Sequence, residues 1–543
     1  MIYADYVLKS NNVYDCVTDR PFKGSVATKG NKIIAIAKDS DTLSCIDVNT
    51  KVFDYGDKLI MPGFVDAHVH YFWGAMFGSK HVCTKITGSK SIEECIKIMK
   101  QFADENPDEA RIIGLGWFPA NWGDVPLPDK YTIDAVIPDR PVYLMCADIH
   151  TIWCNSKALE EAGITPDMPI KSGKIGTFDN GEMTGMLFEP DAFWPAMDKI
   201  MELPKKQMKE LHRAFLSHIA ACGITTISDM TANDYTDQTL SKFRVIKELE
   251  DSGELTARLH VYCKLAGYTD FSKAKEYRKE FCSTKLRFQG IKGFIDGVAS
   301  TYTGLMLEPY ADKPETCGIG VPLTPKEEMQ RYVNAANAAG FPVRIHCIAD
   351  GAVRMALDLY EESNRVNGKH GLKNAVEHIE NIHPDDIKRF KELGVIPSMQ
   401  PMHLPLDADE KIKRVGPERC KFEWPFKSIL DAGGKLAFGT DYPIVDFNPF
   451  PSLYAAITRN NPDKTTASHN PWECISLPDA LKAYTINAAN AYDREDEIGT
   501  LEVGKMADII VISQNMFNIV PDEILKCNVI LTMFDGKIIY KKD

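Results

Sequence analysis

Short apolar runs alternate along this chain with longer helix-like segments. Two segments open with capping-box patterns, Ser91-Ile92-Glu93-Glu94 and Thr324-Pro325-Lys326-Glu327, and Ser476-Leu477-Pro478-Asp479 opens a third in the same manner. Short buried strands that alternate with helices are typical of a parallel sheet covered by helices. Eight apolar runs are predicted to be strands, near 60–66, 223–229, 258–263, 287–293, 341–346, 374–378, 394–399 and 435–441.

Eight strand–helix units predict an α/β fold of the (β/α)8 TIM-barrel type. In such a barrel the chemistry lies at the carboxyl ends of the strands. A doubly wound open sheet is the structural alternative. We favour the barrel because it brings side chains from separate strand ends to one place.

The barrel accounts for residues 59–74 together with 221–499. Residues 1–58 and 500–543 carry short β-like segments, and neither end is long enough for a core of its own. Both termini are therefore predicted to form one composite β-sandwich. Residues 75–220 form a large insertion after strand one, rich in tryptophan, proline and glycine. We expect this insertion to be a lid or substrate subdomain.

Composition narrows the classes of function. The chain has 543 residues, and 63 basic against 76 acidic side chains give a net charge of −13. No basic cluster stands out, which argues against nucleic acid and anionic membranes as partners. The first residues lack the pattern of a secretion signal, and no apolar run reaches membrane-spanning length. The 14 cysteines include no CxxC pair, so we expect reduced thiols and a cytoplasmic protein.

The most informative motif is His68-Val69-His70, which follows an apolar run and lies near Asp66. Residues i and i+2 of a strand project from the same face, so both imidazoles can point at one spot. Two converging neutral imidazoles suit a divalent metal such as zinc. An exposed histidine pair at a strand end is the alternative. Four further candidate ligands come from strands four, five, six and eight of the predicted barrel: Lys292, His346, His378 and Asp441.

At this point the motifs carry a family resemblance. The chain resembles the amidohydrolase superfamily, in amidohydrolase family 3, the branch that includes N-substituted formamide deformylase-like enzymes. The similar motifs run in order from residue 59 to the end and cover almost the whole chain: Pro62-Gly63-Phe64-Val65-Asp66-Ala67-His68-Val69-His70, Gly114-Leu115-Gly116-Trp117, Asp148-Ile149-His150-Thr151-Ile152-Trp153-Cys154-Asn155-Ser156, Gly181-Glu182-Met183-Thr184-Gly185, Gly223-Ile224-Thr225-Thr226, Glu377-His378, Gln400-Pro401-Met402-His403 and Gly499-Thr500-Leu501-Glu502-Val503-Gly504-Lys505-Met506-Ala507-Asp508-Ile509.

The resemblance and the residue chemistry together imply a metal centre. His68 and His70 would hold a first ion, and His346 and His378 a second. An ordinary lysine ammonium has only donors. The resemblance therefore implies a carbamate on Lys292, whose two oxygens can bridge two ions. Two alternatives stay open: an ammonium paired with Asp296, and a centre with one ion per chain. Zinc is the expected metal, while the same ligands admit iron, manganese or cobalt.

The expected reaction is hydrolysis by metal-activated hydroxide. Asp441 would contact the first ion and act as general base and then general acid. An Asp that only caps a helix is the alternative for this residue. The expected substrate is a small molecule with an amide, N-formyl or related acyl-amine C–N bond, and ester or lactone hydrolysis is chemically adjacent. A deaminase of the adenosine type is disfavoured because Ala349 stands where those relatives have a proton-delivering Glu. A non-enzymatic scaffold is the remaining alternative.

Four residues are candidates for contact with the substrate: Trp117, His150, Trp153 and His403. The resemblance places His150 and Trp153 facing the substrate, and His150 could hydrogen-bond the carbonyl oxygen. Trp117 could line an apolar pocket or belong to a core. His403 could lie behind the metal ligands or face the substrate. A homodimer is compatible with this class of barrel, although no segment of the sequence marks an interface.

Overall fold

The computed structural model describes residues 2–38, 44–78, 83–123, 125–147, 151–170, 173–463 and 468–542. The chain divides into two compact units. The first unit comprises Met1–Phe72 and Leu216–Asp543, and the second unit is Trp73–Phe215.

Strands from both termini form one sheet in the first unit. Its strands are β1 (Tyr6–Val13), β2 (Phe22–Lys29), β3 (Lys32–Lys38), β4 (Lys51–Asp54), β5 (Leu59–Pro62), β20 (Ile509–Ile512), β21 (Val529–Phe534) and β22 (Lys537–Lys541). The order is β22-β21-β20-β5-β1-β2-β3, with β4 paired to β1. The antiparallel pairing of β20 with β5 joins the two ends of the chain. Buried side chains such as Leu8, Ile60, Ile509 and Leu531 form the core of this sheet.

The other strands of the first unit form a parallel barrel. They are β6 (Phe64–Val69), β13 (Ile224–Asn233), β14 (Arg258–Lys264), β15 (Leu286–Phe294), β16 (Val343–Cys347), β17 (Ala375–His378), β18 (Ile396–Met399) and β19 (Ala437–Phe438). Each strand pairs in parallel with the next. A parallel bridge between Val69 and Tyr442 connects the last segment back to the first strand. The predicted fold class, a (β/α)8 barrel with added sheets, is confirmed.

The first predicted strand needs a correction. The sequence favoured a single strand near 60–66, whereas the structure divides this run at Gly63. Residues before Gly63 pair within the terminal sheet, and those after it enter the barrel. A Cβ at Gly63 would lie 2.5 Å from side-chain atoms of Thr225, so only glycine fits where the chain changes partners. One continuous apolar run therefore contains two strands.

Helices follow the barrel strands, and one short helix lies between β20 and β21 of the terminal sheet. They are α7 (Asp237–Asp251), α8 (Ser272–Glu280), α9 (Lys326–Ala338), α10 (Asp350–Asn367), α11 (Pro384–Ile387), α12 (Arg389–Leu393), α13 (Leu404–Val415), α14 (Phe426–Asp431), α15 (Pro449–Thr458), α16 (Leu477–Ala483), α17 (Ile486–Asn490) and α18 (Pro521–Ile524). Ser476 caps α16 as predicted. The capping box predicted at Thr324 does not form, because Pro325 occupies the N-cap position and has no side-chain acceptor.

The second unit contains a mixed sheet of its own. Its strands are β7 (Cys83–Lys85), β8 (Ile112–Trp117), β9 (Val142–Cys146), β10 (Thr151–Cys154), β11 (Lys174–Thr177) and β12 (Met183–Phe188), in the order β11-β12-β10-β9-β8-β7. Its helices are α2 (Ile92–Glu105), α3 (Lys130–Asp134), α4 (Ser156–Ala162) and α5 (Pro190–Ile200). Two further helices, α1 (Tyr71–Phe77) and α6 (Lys205–Ala221), cross the unit boundaries in sequence. No helix in the described ranges is long and apolar enough to cross a membrane.

Candidate metal centre

The predicted metal ligands all lie in the first unit, at or just beyond the carboxyl ends of barrel strands. His68 and His70 come from β6, Lys292 from β15, His346 from β16 and His378 from β17. Asp441 follows β19, and its backbone N–H donates to the carbonyl of His68 over 2.7 Å. Parallel strands in a barrel end at one rim, which is why residues far apart in sequence can meet there.

Four imidazoles surround the carboxylate of Asp441. Its Oδ1 lies 3.3 Å from Nε2 of His68 and 3.1 Å from Nε2 of His70. Its Oδ2 lies 3.5 Å from Nε2 of His403 and 4.0 Å from Nδ1 of His378. Ligand atoms around a tetrahedral zinc with ordinary bond lengths stand roughly 3.3 Å apart. Two groups of residues therefore have spacing suited to a metal ion, His68–His70–Asp441 and His378–His403–Asp441.

The remaining predicted imidazole, His346, lies next to this cluster. Its ring centroid is 4.4 Å from that of His378, which in turn lies 4.8 Å from the His68 ring. The Nε2 atom of His346 is 3.3 Å from the carbonyl oxygen of Gly297. Burial lowers the pKa of His346 to about 3 and that of His68 to about 4, so both rings are neutral near pH 7. Neutral imidazole is the form that binds metals.

Lys292 is buried, and its Nζ makes no hydrogen bond with any described residue. Burial lowers the pKa of this amine to about 8, although Glu377 and Asp441 act in the opposite direction. The alternative ion pair with Asp296 does not form. The Asp296 carboxylate instead accepts backbone N–H groups of Leu305, Ile348 and Ala349 at 3.0, 2.9 and 3.1 Å.

A set of buried charged side chains holds His68 in position. Its Nδ1 lies 2.7 Å from one carboxylate oxygen of Glu377, and the guanidinium of Arg344 bonds the other oxygen. Burial opposes ionisation of Glu377, but the positive charge of Arg344 prevails and keeps its pKa well below the usual range. The anionic Glu377 fixes the orientation of His68 and leaves Nε2 facing Asp441. Arg344 was not among the residues predicted from the sequence. A charged residue within the apolar run Val343–Ile345 was the available signal, because a buried arginine requires a partner.

His403 lies among the candidate metal ligands, next to Asp441. From the sequence it was a candidate for contact with the substrate. Its Nδ1 is 3.3 Å from Glu380, and its Nε2 faces Asp441. Burial lowers the pKa of His403, but the hydrogen bond with Glu380 and the charge of Asp441 outweigh burial and raise the pKa overall. Glu380 and Lys411 were not predicted from the sequence. The ammonium of Lys411 contacts Glu380.

The backbone at two of these residues adopts the left-handed region, which L-residues other than asparagine and aspartate rarely visit. His378 has a φ of 76° and Asp441 a φ of 62°. Such conformations cost on the order of 1–3 kcal/mol each and persist where the surroundings enforce them. At Asp441, the hydrogen bond from its N–H to His68 supplies part of that enforcement.

The remaining predicted substrate residues belong to the second unit. Trp117 and Trp153 are 1% and 0% exposed, inside the core of that unit. Their indole N–H groups donate to the backbone oxygens of Leu144 and Asp129, respectively. Both indoles are therefore core residues with no exposed face for a ligand, and the expected substrate contact has no support here. His150 lies outside the described residues.

A parallel barrel with imidazoles and a carboxylate at its carboxyl rim defines the class of metal-dependent barrel hydrolases. The sequence model of the amidohydrolase family matches residues 51–540, and the chain belongs to this family.

Three comparisons extend over nearly the whole chain. The chain is 30% identical to Protein LONG AFTER FAR-RED 3 of Arabidopsis thaliana, covering 99% of this chain and 92% of that protein. It is 23% identical to N-substituted formamide deformylase of Arthrobacter pascens, covering 95% of each chain. The crystal structure of an uncharacterized metal-dependent hydrolase from Pyrococcus horikoshii is similar with a TM-score of 0.79 and 26% identity, covering 95% of this chain and 99% of that one.

The buried pair of Glu377 and Arg344, which holds His68, leads to a prediction about stability. Glu377→Gln removes the charge that compensates Arg344, so we expect the free energy of unfolding to fall by about 3 kcal/mol. Urea unfolding followed by circular dichroism measures this change. The matched control is Glu280→Gln, which breaks the exposed pair with Arg244 and should leave the free energy of unfolding almost unchanged, because solvent screens such pairs. Equal losses in the two variants would contradict the structural role of the buried pair.

Proposed function

We propose that this protein is a metal-dependent hydrolase that cleaves the C–N bond of a small amide, N-formyl compound or related acyl-amine. The observation that carries the proposal is the convergence of His68, His70 and His378 on the carboxylate of Asp441. The family supports a hydrolase. The similarity to a formamide deformylase supports the choice of a C–N bond.

The residues fit divalent ions, with zinc as the proposed metal. His68, His70 and Asp441 would hold one ion, and His346 and His378 would contribute to a second. A second observation supports a bound metal here. Nζ of Lys292 and Nδ1 of His378 are buried without hydrogen bonds to any described residue. Buried polar atoms normally have partners. When bound, such an ion supplies a Lewis acid that polarises a carbonyl oxygen and lowers the pKa of water to about 7.

Asp441 is the proposed proton carrier. Burial alone would raise its pKa, but His68 and His70 hold the pKa well below the usual range, so the carboxylate is available as a base. It would accept a proton from the attacking water and deliver that proton to the leaving nitrogen. A C–O bond forms, the C–N bond breaks, and the products are a carboxylic acid and an amine.

Lys292 is the proposed site of a carbamate. A neutral lysine amine can form a bond to carbon dioxide and release one proton, which converts a donor into an anionic acceptor with two oxygens. The support for this step is the burial of Lys292 and the lack of a hydrogen-bond partner for Nζ among the described residues. The carbamate would face the same centre as His68 and His346, because the three residues come from the barrel rim.

A substrate panel with metal removal tests the proposal. We expect release of amine from N-formyl and N-acyl amines, complete loss of activity after dialysis against a chelator, and recovery with zinc. Matched esters and lactones are assayed in parallel, and ammonia release reports deamination. Faster turnover of esters than of all amides would contradict the choice of a C–N bond. Activity that survives complete removal of metal would contradict the metal dependence.

A further inference from the structure

A second set of buried charged side chains contacts His403, next to the candidate metal centre. Nδ1 of His403 lies 3.3 Å from Oε1 of Glu380, and the ammonium of Lys411 contacts Oε2 of the same carboxylate. All three side chains are largely buried. Desolvation of both charges opposes an ion pair in such a place, so a gain in stability does not by itself account for it.

This set of contacting side chains has the same arrangement as the set that holds His68. In each set a cation contacts one carboxylate oxygen, the other oxygen lies near Nδ1 of an imidazole, and Nε2 of that imidazole faces Asp441. The cation and carboxylate are Arg344 and Glu377 for His68, and Lys411 and Glu380 for His403. Metal-binding histidines almost always donate their second ring N–H to a carboxylate or carbonyl, which fixes the tautomer and the ring orientation. His403 is thus oriented as a metal ligand is.

The atoms that face Nε2 of His403 complete a set of ligands. Nε2 lies 3.5 Å from Oδ2 of Asp441, and Nδ1 of His378 lies 4.0 Å from the same oxygen. The rings of His378 and His403 are nearly parallel, with an interplanar angle of 11°. Neither ring nitrogen makes a hydrogen bond within the described part of the chain, although both atoms are buried. A cation placed between these nitrogens and the carboxylate would satisfy both.

We propose that His403 is a ligand of the second divalent ion, together with His378 and Asp441, and that Glu380 and Lys411 are positioning residues for it. The inference rests on the proposed function, because it requires a metal centre in this barrel. It replaces the expectation that His403 contacts the substrate. His346 is the competing imidazole for the same ion, with its Nε2 directed toward the carbonyl of Gly297.

Metal binding of variants tests the proposal without reference to activity. His403→Asn and His346→Asn are compared with His383→Asn, which changes an exposed histidine beside Asp385. Each protein is dialysed against zinc at graded free concentrations, bound metal is measured by mass spectrometry, and cobalt-loaded samples are compared by visible absorption. We expect His403→Asn to lose the second ion, keep the first with unchanged affinity, and change the cobalt spectrum, while His383→Asn matches the wild type.

A second pair of variants separates positioning from folding. Glu380→Gln should weaken binding of the second ion about 10- to 100-fold, and Glu380→Asp should restore part of that affinity. Thermal unfolding of every variant shows whether it is folded. The proposal is overturned if folded His403→Asn binds both ions as tightly as the wild type, or if the wild type binds only one ion that His403→Asn retains; the proposed function survives both results. A wild type that binds no metal at all overturns both.

Discussion

Asp441→Asn is expected to lower kcat about a thousandfold, within the range that general acid–base catalysis contributes. The amide keeps the shape of the side chain and one oxygen, but it cannot accept the proton of the attacking water. His68 and His70 remain, so the first ion should be retained. Steady-state kinetics and metal analysis of the same sample measure both effects.

The control for this prediction is Asp385→Asn, which removes a carboxylate of the same type from an exposed position at the start of α11. It should leave kcat and metal content unchanged. An Asp441→Asn protein with full activity would remove Asp441 from the mechanism. An Asp441→Asn protein that loses the first ion would contradict the prediction, because it would show that Asp441 is required for metal binding.

The second large effect is expected at Lys292. Lys292→Ala should reduce the metal content, since the bridging carbamate can no longer form. Short carboxylic acids such as propionate can supply two oxygens in the vacated space, so they should restore part of the metal and part of the activity. Metal analysis with and without propionate measures both effects.

Lys264 provides a matched control for Lys292. It is the residue paired with Lys292 on the neighbouring strand β14, and its side chain is 45% exposed. Lys264→Ala should leave metal binding unchanged, with or without propionate. If Lys292→Ala has the same metal stoichiometry as the wild type, the bridging role is wrong.

The barrel was predictable because each buried parallel strand is a short apolar run followed by a helix. The run around Gly63 shows the limit of this reasoning. Periodicity does not distinguish one strand from two when both are buried, and only the contact with Thr225 explains the division. The tryptophans of the second unit show another limit. Aromatic side chains are common both in cores and in ligand pockets, so the pattern around Trp117 and Trp153 could not decide between them.

Much of the centre was also predictable, since HxH and single polar residues at strand ends are visible in the sequence. The structure brings His68, His70, His378 and Asp441 together. The partners behind these residues were not predictable. Arg344 and Glu377 lie on different strands, and their contact depends on the register between β16 and β17. Lys411 reaches Glu380 from α13, and the position of that helix follows from tertiary packing.

The metal content of the purified protein tests the central claim most directly. Protein is purified without chelators, divalent ions per chain are counted by mass spectrometry, and intact mass is measured under conditions that preserve a carboxyl group on lysine. We predict about two ions per chain, as in bridged two-metal sites, and one additional carboxyl group. Protein that binds no divalent metal, even after reconstitution, would contradict the assignment as a metal-dependent hydrolase.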